Sequence, residues 1–319
     1  MKLDRYEIAP AGRRRLSEAG EQRGSQVDGF SSAWGAFAFS SVFVVAGTLI
    51  LLVGTRLIPV DPKGLRAPWW VLTVFGTVLA LAGSLVWGKA WKQFAATQRR
   101  REIARQHSAE PALVDYGWDP RGFAAPRWKP AATALGGALF MTLFLSIFNW
   151  WAFFAEGAWQ VKAIVILFDL ILLAVWGEAG IRWGRALKFG GSRVEFAHFP
   201  YRLTEPVVIH WQPATGIVQI RQGTFTLRCV EEWFEQRDND KDRSRQMVHE
   251  EIWSGTWHQD QERALEPGKR VELRFDLPAA APPTCLSAAK PIFWELAVKL
   301  DLPGLDFAET YLVPIYAAR

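Results

Sequence analysis

Cysteine is nearly absent from this sequence: Cys229 and Cys285 are the only two in 319 residues. Two cysteines in a chain this long make no disulfide framework, and their spacing matches no zinc motif. Histidine is scarce as well. The five (His107, His198, His210, His249 and His258) form no HxxxH or HxH pair, so no metal is expected. No Walker loop, GxGxxG or GxSxG occurs, which removes the usual phosphate cradle, dinucleotide fingerprint and serine elbow. No RNA- or DNA-binding motif is present. The first 32 residues are polar, carry Arg13-Arg14-Arg15 and have no apolar core. A cleavable signal peptide needs an apolar stretch close behind its basic start. These absences lead us to expect no enzyme, no cofactor and no nucleic-acid partner.

Half of the residues are hydrophobic and 17 are Trp. The apolar residues gather in four runs, roughly 34–57, 69–91, 131–154 and 159–182. Each is long enough for a helix crossing a hydrocarbon core of about 30 Å, which takes about 20 residues. Trp marks their ends: Trp34; Trp69, Trp70, Trp87 and Trp91; Trp150 and Trp151; Trp159, Trp176 and Trp183. Amphipathic rings gather at headgroup level. Charge divides with hydropathy. Residues 1–185 carry a balance of +8 and residues 186–319 a balance of −3. A basic excess beside the apolar runs fits anionic lipid headgroups better than nucleic acid.

Lys and Arg also set the expected orientation. Six lie in the N-terminal tail, eight in the 92–130 loop, and Arg182, Arg185 and Lys188 at the exit from the fourth run; the 155–162 turn has only Lys162. With four spans, these three basic flanks share one side. The expected layout is therefore a polar cytoplasmic tail (1–32), spans one and two (33–91), a basic cytoplasmic helix and loop (92–130), spans three and four (131–185) and a cytoplasmic domain (186–319). On the cytoplasmic side both cysteines are expected to stay reduced.

Within the spans, Gly76, Ala80, Ser84 and Gly88 recur every four residues, as do Ala134, Ala138, Thr142 and Ser146. Small residues let backbones approach in lipid, either inside one bundle or across a dimer face. Residues 164–176 read IVILFDLILLAVW, with Asp169 at mid-span. A charged Asp there costs about 2.5–3.5 kcal/mol on insertion scales, so it must face the bundle. Thr142, Ser146 and Thr48 are the polar neighbours expected at its depth. Two readings stand: a structural hydrogen bond or an intramembrane functional site. Glu178 and Arg182 read as an i,i+4 pair. Past span two, GKAWKQFAATQRRREIARQH predicts a basic helix whose Arg99, Arg100, Arg101 and Arg105 lie at the membrane surface. The following stretch predicts an ordered loop whose Tyr116, Trp118, Phe123 and Trp128 dock at the membrane interface or on the β domain.

From residue 192 the period changes to two. Residues 271–277 alternate apolar and charged, and 293–300 put Trp294, Leu296, Val298 and Leu300 on one face. Further strands are expected at 193–198, 206–211, 216–222, 224–234, 248–257 and 307–316, with a hairpin tip over 236–246. Seven or eight short strands with regular turns predict an antiparallel sandwich, and about 125 residues can bury one core. Cys229 is expected inside it.

The run LRCVEEW … EEIW … EPGKRVELRFDLPAAAPPT … IFWELAVKLDLPGLDFAETYLVPIY resembles the C-terminal domain of a family of bacterial inner-membrane proteins of unknown function. In these, paired membrane helices lead through a junction like Phe189-Gly190-Gly191-Ser192-Arg193 into an arrestin-like β-sandwich. The likeness covers about 185–317 and, weakly, spans three and four. Fuller relatives place a soluble domain between the first two spans, where this chain has about twelve residues. The resemblance implies fold and topology and brings no catalytic residues. Its motif marks Trp294 as a core anchor, Pro303 and Gly304 as a tight turn, and Pro314 as an edge-strand residue beside which a partner strand can add. The expected function is a membrane-anchored scaffold with a protein partner or a second copy, and no catalysis. The alternative is a small transport-related or lipid-interacting protein centred on Asp169, with the β domain regulatory.

Overall fold

The computed structural model describes residues 3–10, 12–16, 22–23, 33–60, 68–105, 115–154, 158–239, 242–265, 269–278, 280–286, 288 and 290–317. The run EPGK at 266–269 predicts a turn, and its first three residues lie outside them. The chain forms two compact units, one of residues 26–97 and 128–184, the other of 1–25, 98–127 and 185–319.

The first unit is helical. Its helices are α1 (Ala33–Gly54), α2 (Trp69–Arg105), α3 (Lys129–Phe154) and α4 (Trp159–Lys188). All four are long and apolar enough to cross a membrane. The ends of α2 and α4 run on into the second unit. Most of their large side chains face outward, among them Leu85, Ile164, Leu170 and Leu173. The inward positions are small. Gly47 and Gly54 on α1 and Gly76 and Gly83 on α2 are all buried. A Cβ at Gly47 would sit 2.8 Å from the Gly76 carbonyl oxygen, and one at Gly83 would sit 2.9 Å from that of Ser40. Only glycine admits such an approach. The seam therefore runs through glycines seven apart on both helices. The expected row in α2 is thus half right: Gly76 and Ala80 are in the seam, whereas Ser84 is exposed and a Cβ at Gly88 would meet no atom of a neighbouring helix within 4 Å. A seven-residue step returns to the same face of a helix, and four-residue steps drift off it.

On α3 the buried residues are Ala131, Ala138, Leu145 and Ala152, again every seventh. On α4, Val165, Ala179 and Ala186 keep the same step. Helix α1 ends in a Schellman motif: Leu57 N–H bonds Leu52 carbonyl and Arg56 N–H bonds Val53 carbonyl. Arg56 takes the left-handed position at φ 62°, usually held by Gly, and its guanidinium lies 4.9 Å from the Trp69 ring at the start of α2.

The second unit is built of strands: β1 (Arg5–Ile8), β2 (Arg14–Arg15), β3 (Gly122–Ala124), β4 (Arg193–Phe196), β5 (Tyr201–Arg202), β6 (Val207–Gln212), β7 (Gln219–Ile220), β8 (Gln222–Asn239), β9 (Asp242–Gln259), β10 (Arg263–Ala264), β11 (Val271–Phe275), β12 (Ile292–Asp301), β13 (Phe307–Val313) and β14 (Ile315–Tyr316). One sheet runs β1-β9-β8-β12-β13, with β2 also on β9; another runs β11-β6-β4-β3. Inward residues of both enter one buried cluster, among them Ile209, Trp211, Leu273 and Phe275 from one sheet and Phe225, Leu227, Trp294 and Leu296 from the other. Trp211 donates to the Tyr311 hydroxyl across 3.2 Å, and that hydroxyl donates to Ser192.

Two expectations change here. The polar tail is no separate tail, because it supplies β1 and β2. The basic loop supplies β3, which pairs with β4. Three stretches separated by apolar helices thus compose one unit. For spanning helices, this puts all three on one side.

Candidate functional site

Asp169 is half-buried, and its Oδ1 accepts a hydrogen bond from Asn149 Nδ2 at 2.9 Å. Asn149 was the partner not foreseen from sequence. The three expected hydroxyls are used otherwise. Thr142 donates to Ala138 carbonyl and accepts from Trp176 Nε1, Ser146 donates to Leu143 carbonyl, and Thr48 donates to Val44 carbonyl. Apolar surroundings make a helix's own carbonyls the nearest acceptors for Ser and Thr. A longer amide reaches the neighbouring helix. The missed signal was depth: 149 and 169 and likewise 142 and 176 sum to the same value, as antiparallel helices require. Glu178 and Arg182 pair at 2.7 Å. Arg99, Arg100, Arg101 and Arg105 lie on α2, and their side chains fall outside the described residues.

The motif positions sit in the β unit. Trp294 is fully buried, donates to Pro282 carbonyl at 2.9 Å and packs on Trp253. Gly304 has φ +90°, the value a turn there needs, and the Pro303 carbonyl accepts from Lys188 Nζ at 2.8 Å. Pro314 divides β13, at one end of the larger sheet, from β14, which pairs with β5. Tyr116, Trp118 and Phe123 pack on a second buried group of Val230, Leu286, Phe293 and Leu312, whereas Trp128 meets Trp183 in the helical unit. Burial pushes the Cys229 thiol far above its ordinary value, so it is a poor nucleophile. Among the described residues, no three His, Cys, Asp or Glu are grouped to hold a metal.

One assembly of charge was not foreseen. On β8 and β9, Glu231 and Glu250 stand directly opposite each other, as do Glu232 and His249. Like charges so placed destabilise a sheet. The arm of residues 12–16 answers them. Arg14 and Arg15 pair with Glu251 and Glu250 on β9. Arg13 bridges Glu231 at 2.7 Å and Glu250 at 3.0 Å, Arg14 reaches Glu251 at 3.0 Å, and Arg15 grips both oxygens of Glu235 at 2.8 Å. The three arginines are 59–69% exposed, so each pair is worth only about 0–1 kcal/mol.

Behind them lies a buried network. Glu232 accepts from His249 and from the Arg23 backbone N–H, while Glu295 meets Arg228 and, at 3.9 Å, Arg23. Arg23 also donates to Thr310 on β13. Removing one member of a buried pair costs about 3–5 kcal/mol. Residues 22–23 are thus clamped, and residues 12–16 are held lightly. The sequence signals were the doublets of VEEW and HEEIW facing the triplet of GRRRL.

No protein-family model and no curated protein matches the chain. Among solved structures, it is similar to the sporulation control protein Spo0M from Bacillus subtilis at 17% identity. The match covers 40% of this chain and 49% of that one, with a TM-score of 0.29. A likeness this slight carries no argument about fold or role.

Proposed function

We propose that this is a membrane-anchored, non-catalytic interaction protein. In this reading its two larger sheets form an arrestin-like sandwich at the cytoplasmic face, where it engages a protein partner by strand addition. The observation that carries the reading is the triple connection: residues 1–25, 98–127 and 185–319 fold into one unit, so each apolar hairpin leaves that unit and returns to it. A recognition domain tethered in this way cannot leave the membrane. The basic flanks favour the cytoplasmic side for it, and the shared core of the two sheets supports the sandwich. Crosslinking from exposed β-unit positions of the full chain in native membranes tests this. One recurrent protein neighbour is expected; adducts with lipid alone would overturn it. Thiol labelling of the exposed Cys285 should succeed only from the cytoplasmic side.

The bond between Asp169 and Asn149 favours a second reading, a small transport-related or lipid-interacting bundle with the β unit as regulator. Flux abolished by Asp169→Asn in a folded chain would favour it over the first.

A further inference from the structure

We infer that the β9 edge and its carboxylates form a docking site for an arginine-rich extended segment of a partner protein, with the chain's own arm as resident occupant. The inference rests on the strand-addition reading above and names its edge, its ligand and its control.

Three independent features converge. First, the acceptor is built for a guanidinium. Glu231 and Glu250 face each other across the ladder between β8 and β9, a repulsive arrangement that a bridging cation relieves, and Arg13 bridges it. Ser254 Oγ, 2.8 Å from Glu251 Oε1, fixes the carboxylate that Arg14 meets. Second, the backbone is an acceptor too. The N-terminal stretch bonds β9 through Asp4 N–H and Ala9 N–H, and the arm through Leu16 N–H, to the carbonyls of His258, Ser254 and His249. Its ladder is broken into a four-residue and a two-residue piece. Strand β9 runs for 18 residues, so a longer strand with the same arginines can make every contact of the arm and more. Third, the hold is uneven. The arginines are solvent-exposed, so salt and competing cations reach them, while the Arg23 anchor is buried. Release of residues 12–16 therefore need not free residues 22–23.

The test uses the full chain in lipid nanodiscs and a labelled peptide with the sequence of residues 12–16, beside a control with alanine at the three arginine positions. Fluorescence anisotropy should show the triple variant Arg13→Ala/Arg14→Ala/Arg15→Ala binding the peptide about tenfold or more tightly than the native chain, because the occupied fraction no longer taxes affinity. Adding Glu231→Gln, Glu250→Gln and Glu251→Gln should abolish binding, and the control peptide should not bind. Equal affinity of native and arm-variant chains, or binding that survives the glutamines, would overturn the inference. A dimer held by exchanged arms would overturn it too, in favour of a second copy.

Hydrogen exchange of the unaltered chain needs no substitution. The amide of Leu16 should lose protection with rising salt well before those of β12. Protection equal to β12 at all salt concentrations would count against a displaceable arm. Peptide binding does not require a captured cellular partner. Its loss alone sinks the docking site and leaves the anchored-sandwich reading standing. Peptide binding without any crosslinked protein sinks that reading instead.

Discussion

The helical unit packs around its smallest side chains and the β unit around its largest. Buried positions in the first include Ala36, Gly47, Gly76, Ala131, Ala138 and Ala152; in the second they include Trp211, Trp294, Tyr311, Phe225 and Phe293. The difference follows from the solvent each fits. Water drives large apolar groups inward at roughly 25 cal/mol per Å². Lipid tails solvate Leu as well as a neighbouring helix does, so association in a bilayer relies on close backbone contact. Polar groups follow the same logic. The β unit buries a network of Arg, Glu and His, while the helices pair one Asp with one Asn and turn their hydroxyls onto their own carbonyls.

Substitutions can break this comparison. The largest effect is expected for Trp294→Ala, a loss of about 3–5 kcal/mol for an emptied aromatic site. Thermal unfolding followed by near-ultraviolet dichroism checks it, and the helices should melt separately. Raising the pH comes next. Burial pushes the Tyr201 phenol up to about 12, and it also raises those of Tyr311 and Tyr316. A raised folded value means the unfolded chain loses its proton first. Stability is then full below pH 10 and falls above it, by at most about 1.4 kcal/mol per pH unit for each phenol. A pH-jump series monitored at the tyrosinate band reads this, with no matching loss in the helical unit, which buries none of these tyrosines.

Gly76→Leu should push α1 from α2 and cost about 1–3 kcal/mol by overpacking, whereas Leu170→Ala on the outward face should change stability by about 0.5 kcal/mol or less. Denaturation in mixed micelles compares the two, and equal effects would dissolve the contrast. A similarly small effect is expected for Asp169→Ala. Membrane hydrogen bonds average about 0.6 kcal/mol, so the bundle should stay folded with a slightly lower melting point.

Much of the fold was legible in the sequence. Apolar length located the four spans closely, and the basic stretch past the second was read as helix, which the long α2 bears out. Period-two alternation found β11 and β12, because a half-buried strand must alternate and a span must not. The hairpin of β8 and β9 was read as two shorter strands, since residues 235–239 and 242–246 near its tip are polar throughout and show no alternation. The edge of β9 escaped for another reason. It is made by residues more than 200 positions apart, and no local pattern encodes that pairing. The polar partner of Asp169 was missed likewise, because helix register decides which of several polar residues comes within reach.

The sequence by itself determined the partition: where the chain meets lipid, where it meets water, and which stretches coil or alternate. Those are local properties, set by hydropathy and period. Only the tertiary structure decided that the arginines of the N-terminal arm belong to the sheet, that glycines seven apart make the helix seam, and that Asn149 meets Asp169. Each of these depends on two distant segments arriving at one place, and proximity in space is a property of the folded chain alone.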